Sequence, residues 1–115
     1  MQNWNILSSI DQLAEIEKNS FEKPQLLFKH STRCSISEMV LNRLKREEDR
    51  LAAIADLHYL DLIRYRDVSN NIATRYGVVH ESPQVIVLAN GKAVYHASHH
   101  MILPDELITQ FNGIK

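Results

Sequence analysis

The stretch Phe28-Lys29-His30-Ser31-Thr32-Arg33-Cys34-Ser35-Ile36-Ser37 decides the fold prediction and contains the only cysteine of the chain. The apolar run Leu26-Leu27-Phe28 predicts a buried strand, and apolar residues at helical spacing begin at about Cys34. A strand that passes through a polar turn into a helix places this cysteine at a helix N-terminus. The unpaired backbone N–H groups and the helix dipole there favour an anion such as a thiolate.

The charges near the cysteine favour the thiolate further. Lys29, His30 and Arg33 all lie within five residues of Cys34 and are cationic or can become so. A lone cysteine is in general more often an inert, buried side chain. Here it is flanked by Arg33 and Ser35, which are poor neighbours for a core residue. We therefore predict a reactive thiol.

Composition and charge describe an ordinary globular chain. The chain has 115 residues, of which 44% are hydrophobic and 23% charged, and we expect a single domain over residues 1–115. A net charge of −1 gives no electrostatic reason to expect binding to nucleic acid or an anionic membrane. A single cysteine cannot form an internal disulfide, and no signal-peptide or membrane-spanning pattern is present in the sequence. We therefore expect a cytoplasmic protein.

Hydrophobic spacing and turn residues predict strands and helices in alternation. The predicted elements are a strand at 4–7, a helix at 9–18, a strand at 25–29, a helix at 34–46, a strand at 57–62, a helix at 67–76, strands at 84–89 and 92–97, and a helix at 104–112. Ser9 and Gln12 have the form of a capping box. Residues 45–50 are predicted to be a solvated, charged helix end. The pattern leaves open whether residues 51–55 prolong this helix or form its exit.

Two parallel βα units followed by a ββα unit are typical of the thioredoxin fold. The predicted fold is α/β, with a mixed central sheet of four to five strands and helices on both faces, in the order βαβαβαββα. Three details agree with this prediction. Cys34 opens the helix after the second strand, Pro83 immediately precedes the first hairpin strand, and Asn90-Gly91 is a strong hairpin signal.

The stretch 28–37, together with His80-Glu81-Ser82-Pro83-Gln84-Val85, resembles the YtxJ-like family of monothiol bacilliredoxins. The resemblance extends from Trp4 to Ile102. In that family the sequence around the cysteine is typically T-x-C-P-I-S. Ser35 stands here in place of the proline, which removes a fixed φ at the helix start. The resemblance implies that the proline at 83 is in the cis form and lies beside the reactive cysteine.

The chemistry implied by the resemblance needs one thiol. Ser37 stands where dithiol relatives carry a second cysteine, and a serine cannot attack a mixed disulfide. The Cys34 thiolate would attack a mixed disulfide between a client protein and bacillithiol, and would carry the small thiol until an external thiol removes it. The expected partners are S-thiolated client proteins and a low-molecular-weight thiol as co-substrate, with no other cofactor, no metal, no nucleic acid and no membrane.

The expected substrate-binding residues lie around the cysteine and the proline. They are Lys29, His30, Thr32, Arg33, Ser37, Ser82 and Pro83. The two basic residues and the histidine could pair with the carboxylates of bacillithiol, or they could be surface charges without a role. The backbone of Ser82 is expected to hold the client chain.

Two other functions fit parts of the sequence. One is a non-catalytic, thioredoxin-like interaction module in which Cys34 is incidental. The other is a monothiol glutaredoxin-like iron–sulfur carrier, although the glycine and phenylalanine usual after its cysteine are absent. The three histidines at and just after the end of the last predicted strand are scattered along an extended segment, so no metal site is expected at His96, His99 and His100. Asp61 is expected to cap a loop.

Overall fold

The computed structural model describes residues 2–114, in which a mixed sheet lies between two layers of helices. Its elements are β1 (Trp4–Ile6), α1 (Gln12–Asn19), β2 (Gln25–His30), α2 (Ser35–Arg46), α3 (Glu48–Ala52), β3 (Asp56–Asp61), α4 (Arg66–Tyr76), β4 (Gln84–Ala89), β5 (Lys92–Ser98) and α5 (Pro104–Asn112). A short 3-10 helix, His99–Met101, connects β5 to α5.

The five strands lie in the order β1-β3-β2-β4-β5. The first three in this order are parallel, and β4 runs antiparallel to both β2 and β5. The bond between Ser82 and Pro83 is cis, as expected, and it immediately precedes β4. The predicted thioredoxin-like α/β fold is therefore confirmed.

Both faces of the sheet are buried, and the residues of β2 alternate between them. Leu26 and Phe28 belong to the core under α2, α3 and α5. Leu27 belongs to the opposite core, which includes residues of α1 and α4. All six residues of β2 are buried, and β2 is the middle strand of the five. Truncating a residue such as Phe28 to alanine in a core of this kind typically costs about 3–5 kcal/mol.

The first helix begins later than predicted. Residues 10 and 11 form a turn, and α1 starts at Gln12. The glutamine half of the predicted capping box is present, because Gln12 Oε1 accepts hydrogen bonds from the N–H groups of Ser8 and Ser9 at 2.7 and 2.9 Å. The Gln12 side chain thus holds Ser8 and Ser9, the residues that lead into α1.

The charged segment 45–50 is largely solvated, as predicted, but it does not form the end of a single helix. Helix α2 ends at Arg46, and the separate helix α3 follows from Glu48 to Ala52. Its Leu51 is fully buried in the core under α2. One apolar residue in a run of charges carries no helical period, so only packing against the rest of the core reveals this helix.

Local turn signals are confirmed where the backbone needs left-handed conformations. Asn90 and Gly91, with φ values of 53° and 81°, join β4 to β5. Gly77 ends α4 with a φ of 67°. Pro104 is the first residue of α5, as predicted. Within residues 2–114 the structure contains no helix with the length and apolar character needed to cross a bilayer.

Candidate active site

Cys34 is the N-cap residue of α2, which agrees with the predicted position. It has an extended backbone, with φ −124° and ψ 123°, and its thiol does not cap the helix by a hydrogen bond. Its carbonyl accepts the N–H of Glu38 at 3.1 Å, so the helical hydrogen bonds begin at this residue. The thiol is half-buried. A reactive sulfur in this position meets both solvent and the positive end of a twelve-residue helix.

The turn that leads to the cysteine leaves two side chains exposed. Thr32 and Arg33 are exposed, and the N–H of Arg33 donates to Ser31 Oγ at 3.3 Å. Within residues 2–114 no carboxylate forms an ion pair with this arginine. Arg33 is therefore an exposed, uncompensated cation in the residue next to Cys34.

Ser37 supports the turn from inside. Its side chain is fully buried, and its Oγ accepts the N–H of Ser31 at 2.9 Å. The same Oγ lies 2.7 Å from His30 Nδ1, which fits a hydroxyl that donates to an unprotonated ring nitrogen. Its expected position in a substrate-binding surface is wrong, because both hydrogen bonds link the end of β2 to the first turn of α2.

His30 is buried as well. Only 2% of it is exposed, and its ring packs against those of Phe28 and Tyr59 at centroid distances of 5.7 and 5.6 Å. Its Nε2 lies 3.8 Å from the carboxylate of Glu38. Burial lowers the pKa of His30, and the nearby carboxylates of Glu38 and Asp61 oppose this shift. The expectation of a surface charge is wrong for this residue.

Lys29 points to the other face of the sheet, and none of it is exposed. Its Nζ donates to the carbonyl of Ser69 at 3.1 Å and lies 3.2 Å from His80 Nδ1. Burial lowers the pKa of Lys29 to about 8. This position contradicts both expectations for the lysine. It neither pairs with the carboxylates of a ligand nor lies at the surface as a solvated charge. A side chain held against α4 does not reach a ligand at the surface.

The segment before β4 completes the site. Pro83 is buried, and its carbonyl accepts the N–H of His99 at 3.0 Å. Ser82 is half-buried, and its backbone makes no hydrogen bond to another backbone group within residues 2–114. Because β4 starts opposite the end of β2, this segment and Cys34 lie at the same edge of the sheet. The unpaired backbone of Ser82 can therefore accept an extended chain there.

Other polar residues at this edge have structural partners. Asp61 Oδ1 accepts the N–H groups of Ile63 and Arg64 at 3.1 and 3.2 Å, so the predicted loop cap is confirmed. His99 Nδ1 lies 3.8 Å from the carboxylate of Glu81. In the part of the chain that the structure describes, no three His, Cys, Asp or Glu side chains are grouped so that they could hold a metal ion.

Sequence reasoning did not find one group of residues near the site. They are Ser69 and His80, which contact the end of the Lys29 side chain, and Gln84, which contacts the loop that contains His80. They come from α4, a loop and β4, so no spacing along the chain connects them. Only the position of a lysine within an apolar strand signalled that something polar must lie opposite it.

Comparisons with known proteins agree with this geometry. The sequence matches the family described as monothiol bacilliredoxin BrxC over residues 5–107. A solved structure described as a candidate oxidoreductase with a thioredoxin fold superposes with a TM-score of 0.80 at 30% identity, covering 96% of this chain and 95% of that one.

Two thioredoxins are more distant and support the fold alone. The thioredoxin of Malassezia sympodialis, Mala s 13, has a TM-score of 0.70 at 18% identity, covering 93% of this chain and 86% of that one. The thioredoxin of Fasciola hepatica has a TM-score of 0.71 at 12% identity, covering 96% and 99%. Since the family match spans most of the sequence and includes the single cysteine at the start of α2, the chain belongs to the monothiol bacilliredoxin family BrxC and has a thiol redox function.

Proposed function

We propose that the protein is a monothiol thiol–disulfide oxidoreductase that removes bacillithiol from mixed disulfides on client proteins. The observation that carries this function is the half-buried thiol of Cys34 at the start of α2, with a buried serine where a second thiol would have to be. A single accessible nucleophile suits transfer of one small thiol at a time. The reducing cytoplasm is the compartment where a lone thiol of this kind remains available.

The first step is a thiol–disulfide exchange. The Cys34 thiolate attacks the bacillithiol sulfur of the mixed disulfide, so a new S–S bond forms and the bond to the client sulfur breaks. The client leaves as a thiolate, which takes a proton from water. Cys34 then carries bacillithiol in a mixed disulfide, and no net oxidation or reduction has occurred.

The second step needs an external thiol. Ser37 has no sulfur, and its Oγ is already engaged with Ser31 and His30. A second thiol, which we identify by class as a low-molecular-weight thiol, attacks the carried bacillithiol. This attack forms a disulfide between the incoming thiol and bacillithiol and breaks the bond to Cys34, which leaves as a thiolate. The electron pair of the new S–S bond comes from the incoming thiolate.

The exposed groups around the sulfur have separate roles in binding. The guanidinium of Arg33 is the cation positioned to meet the carboxylates of bacillithiol, because it is exposed and no described carboxylate compensates its charge. Thr32 flanks the same approach. The backbone of Ser82, beside Pro83, would hold the client chain by main-chain hydrogen bonds.

Intact-protein mass spectrometry tests this function directly. Reduced protein is mixed with a purified client that carries one bacillithiol, and both masses are followed with time. The wild type should gain the mass of one bacillithiol at Cys34 while the client loses it. Cys34→Ser should show neither change, because a hydroxyl is too weakly acidic to replace a thiolate. Equal release of the client thiol by wild type and Cys34→Ser would contradict the proposed function.

A further inference from the structure

A cluster of three buried polar side chains and one exposed histidine lies on the α4 side of the sheet, next to the site. We call it the Lys29 cluster, and it consists of Lys29, Ser69, His80 and Gln84. All but the histidine are at most 2% exposed. Within residues 2–114 no carboxylate forms an ion pair with the lysine. A buried charge without a counter-ion is costly, and such arrangements are concentrated at functional sites.

Two neighbouring side chains of the sheet hold the same short segment. Lys29 and Gln84 are directly paired in the register of β2 and β4, so their side chains share one face. Gln84 Nε2 donates to the carbonyl of Val79 at 2.9 Å, and Lys29 Nζ lies 3.2 Å from His80 Nδ1. The loop that leads to Ser82 is thus fastened to the sheet at two consecutive residues.

Helix α4 fixes the lysine in turn. The carbonyl of Ser69 accepts from Lys29 Nζ at 3.1 Å, and Ser69 Oγ lies 3.3 Å from His80 Nδ1. An ammonium group can only donate, so the ring nitrogen that faces it must be the acceptor and carry no proton. The connection between Lys29 and the loop therefore exists only with neutral His80.

We propose that Lys29 and His80 are positioning residues which hold the segment Val79–Ser82 so that the backbone of Ser82 can receive a client chain beside Cys34, a role that rests on the function proposed above. Neither side chain touches the reacting sulfurs in this role. Protonation of His80 removes the acceptor, and the loop then loses one of its two anchors.

The charged groups around His80 influence the pH at which its ring is protonated. Lys29 from β2 and Arg66 from α4 face the ring, and Glu81 is its neighbour in the loop. Burial lowers the pKa of His80, the two cations lower it further, and Glu81 opposes them. The anchor is therefore intact at neutral pH and is lost on acidification. Protonation would also place a second positive charge beside Lys29, which drives the ring away from it.

Two substrates separate positioning from general damage. The first is a peptide that carries a mixed disulfide, and binding of its chain needs the backbone of Ser82. The second is 5,5′-dithiobis(2-nitrobenzoate), a small disulfide with no peptide chain. His80→Ala and Lys29→Met should lower kcat/KM for the peptide about tenfold, the effect of losing roughly 1.4 kcal/mol of binding, and leave the rate with the small disulfide within about twofold.

The rescue variant is His80→Asn. The Asn carbonyl oxygen can take the place of Nδ1 as acceptor but does not titrate. It should restore most of the peptide activity, and its ratio of peptide to small-disulfide rates should stay constant between about pH 5 and 8, whereas the wild-type ratio falls on acidification. His96→Asn, which changes an exposed histidine of β5, is the matched control and should behave as wild type.

Equal losses on the two substrates would overturn the positioning role, and so would peptide activity in His80→Ala equal to that of the wild type. The positioning role would likewise be contradicted if the ratio of peptide to small-disulfide rates fell on acidification in His80→Asn as it does in the wild type. If Lys29→Met fails to fold, the histidine variants decide alone, since His80 is exposed. A wild type that reacts with the small disulfide but never with the peptide would instead remove the proposed function itself.

Discussion

Lys29 and His30 are consecutive residues of β2, but they belong to different halves of the molecule. His30 faces α2 and contacts Ser37, which holds the turn before Cys34. Lys29 faces α4 and contacts His80, three residues before Pro83. Each side chain therefore supports one of the two loops that meet at the active-site edge of the sheet.

The two sides differ in how charge is handled. His30 lies among aromatic rings with a carboxylate of Glu38 near its outer nitrogen. Lys29 contacts a carbonyl and a second histidine but has no acidic partner within the described residues. The α2 side is thus held by neutral hydrogen bonds, and the α4 side by a desolvated cation. We expect the α4 side to be the more sensitive to pH.

The largest effect that tests this difference is the pH dependence of stability. Folding depresses the pKa of Lys29 from 10.5 to about 8, so between these values the unfolded chain binds more protons than the folded one. The free energy of unfolding should therefore gain up to about 3 kcal/mol from this group as pH rises from 8 to 10.5. Lys29→Met should lack this gain in urea titrations.

Lys45→Met is the control for that measurement. Lys45 is exposed on α2, so Lys45→Met makes the same chemical change without removing the buried ammonium and should keep the gain between pH 8 and 10.5 that Lys29 provides. The difference between Lys29→Met and the wild type cancels the titration of all other groups. Parallel curves for these two proteins would show that the Lys29 ammonium is not desolvated and would remove the contrast between the two sides.

A smaller effect is expected on the α2 side. Ser37→Ala leaves the N–H of Ser31 and Nδ1 of His30 without a partner, which should cost about 1–3 kcal/mol in the free energy of unfolding. The first exchange step should stay nearly intact, because Ser37 is not a nucleophile in it. Urea denaturation and stopped-flow exchange measure the two quantities separately.

Ser35→Ala provides the matched comparison for Ser37→Ala. Ser35 is exposed in the first turn of the same helix, so Ser35→Ala should lower the free energy of unfolding much less than Ser37→Ala. If both variants were equally stable, the buried hydroxyl would not be holding the turn. If Ser37→Ala instead abolished exchange, a direct chemical role for this residue would have to be considered.

The smallest effect concerns the one exposed cation beside the sulfur. Arg33→Gln should slow exchange with an anionic disulfide about two- to fivefold relative to an uncharged one, as expected for an exposed charge pair of up to about 1 kcal/mol. The difference should shrink as salt is added. Arg46→Gln, at the far end of α2, should not change the ratio of the two rates. An equal loss on both disulfides would exclude Arg33 from ligand recognition.

Much of the fold was predictable because its signals are local. Asn90-Gly91, Gly77 and Pro104 each require a particular backbone conformation, and the structure has each of them at the predicted place. The helix start at Cys34 follows from the change of pattern between Phe28 and Ile36. Helix α3 was missed, because its only buried residue gives no period and its stability comes from packing.

The sequence by itself determined the order of the strands and of every α-helix except α3, and the place of the single cysteine at the start of α2. The sequence analysis grouped Lys29 and His30 around Cys34, whereas both lie in β2, where successive side chains alternate between the two faces of the sheet. Only the tertiary structure decided what each of them meets. Ser69 and His80 lie 40 and 51 positions away from Lys29, and such contacts form only when β2, β4 and α4 are packed together. Sequence alone assigns Lys29 to solvent or to a ligand. In the structure it is buried and contacts His80, in the loop that leads to Pro83.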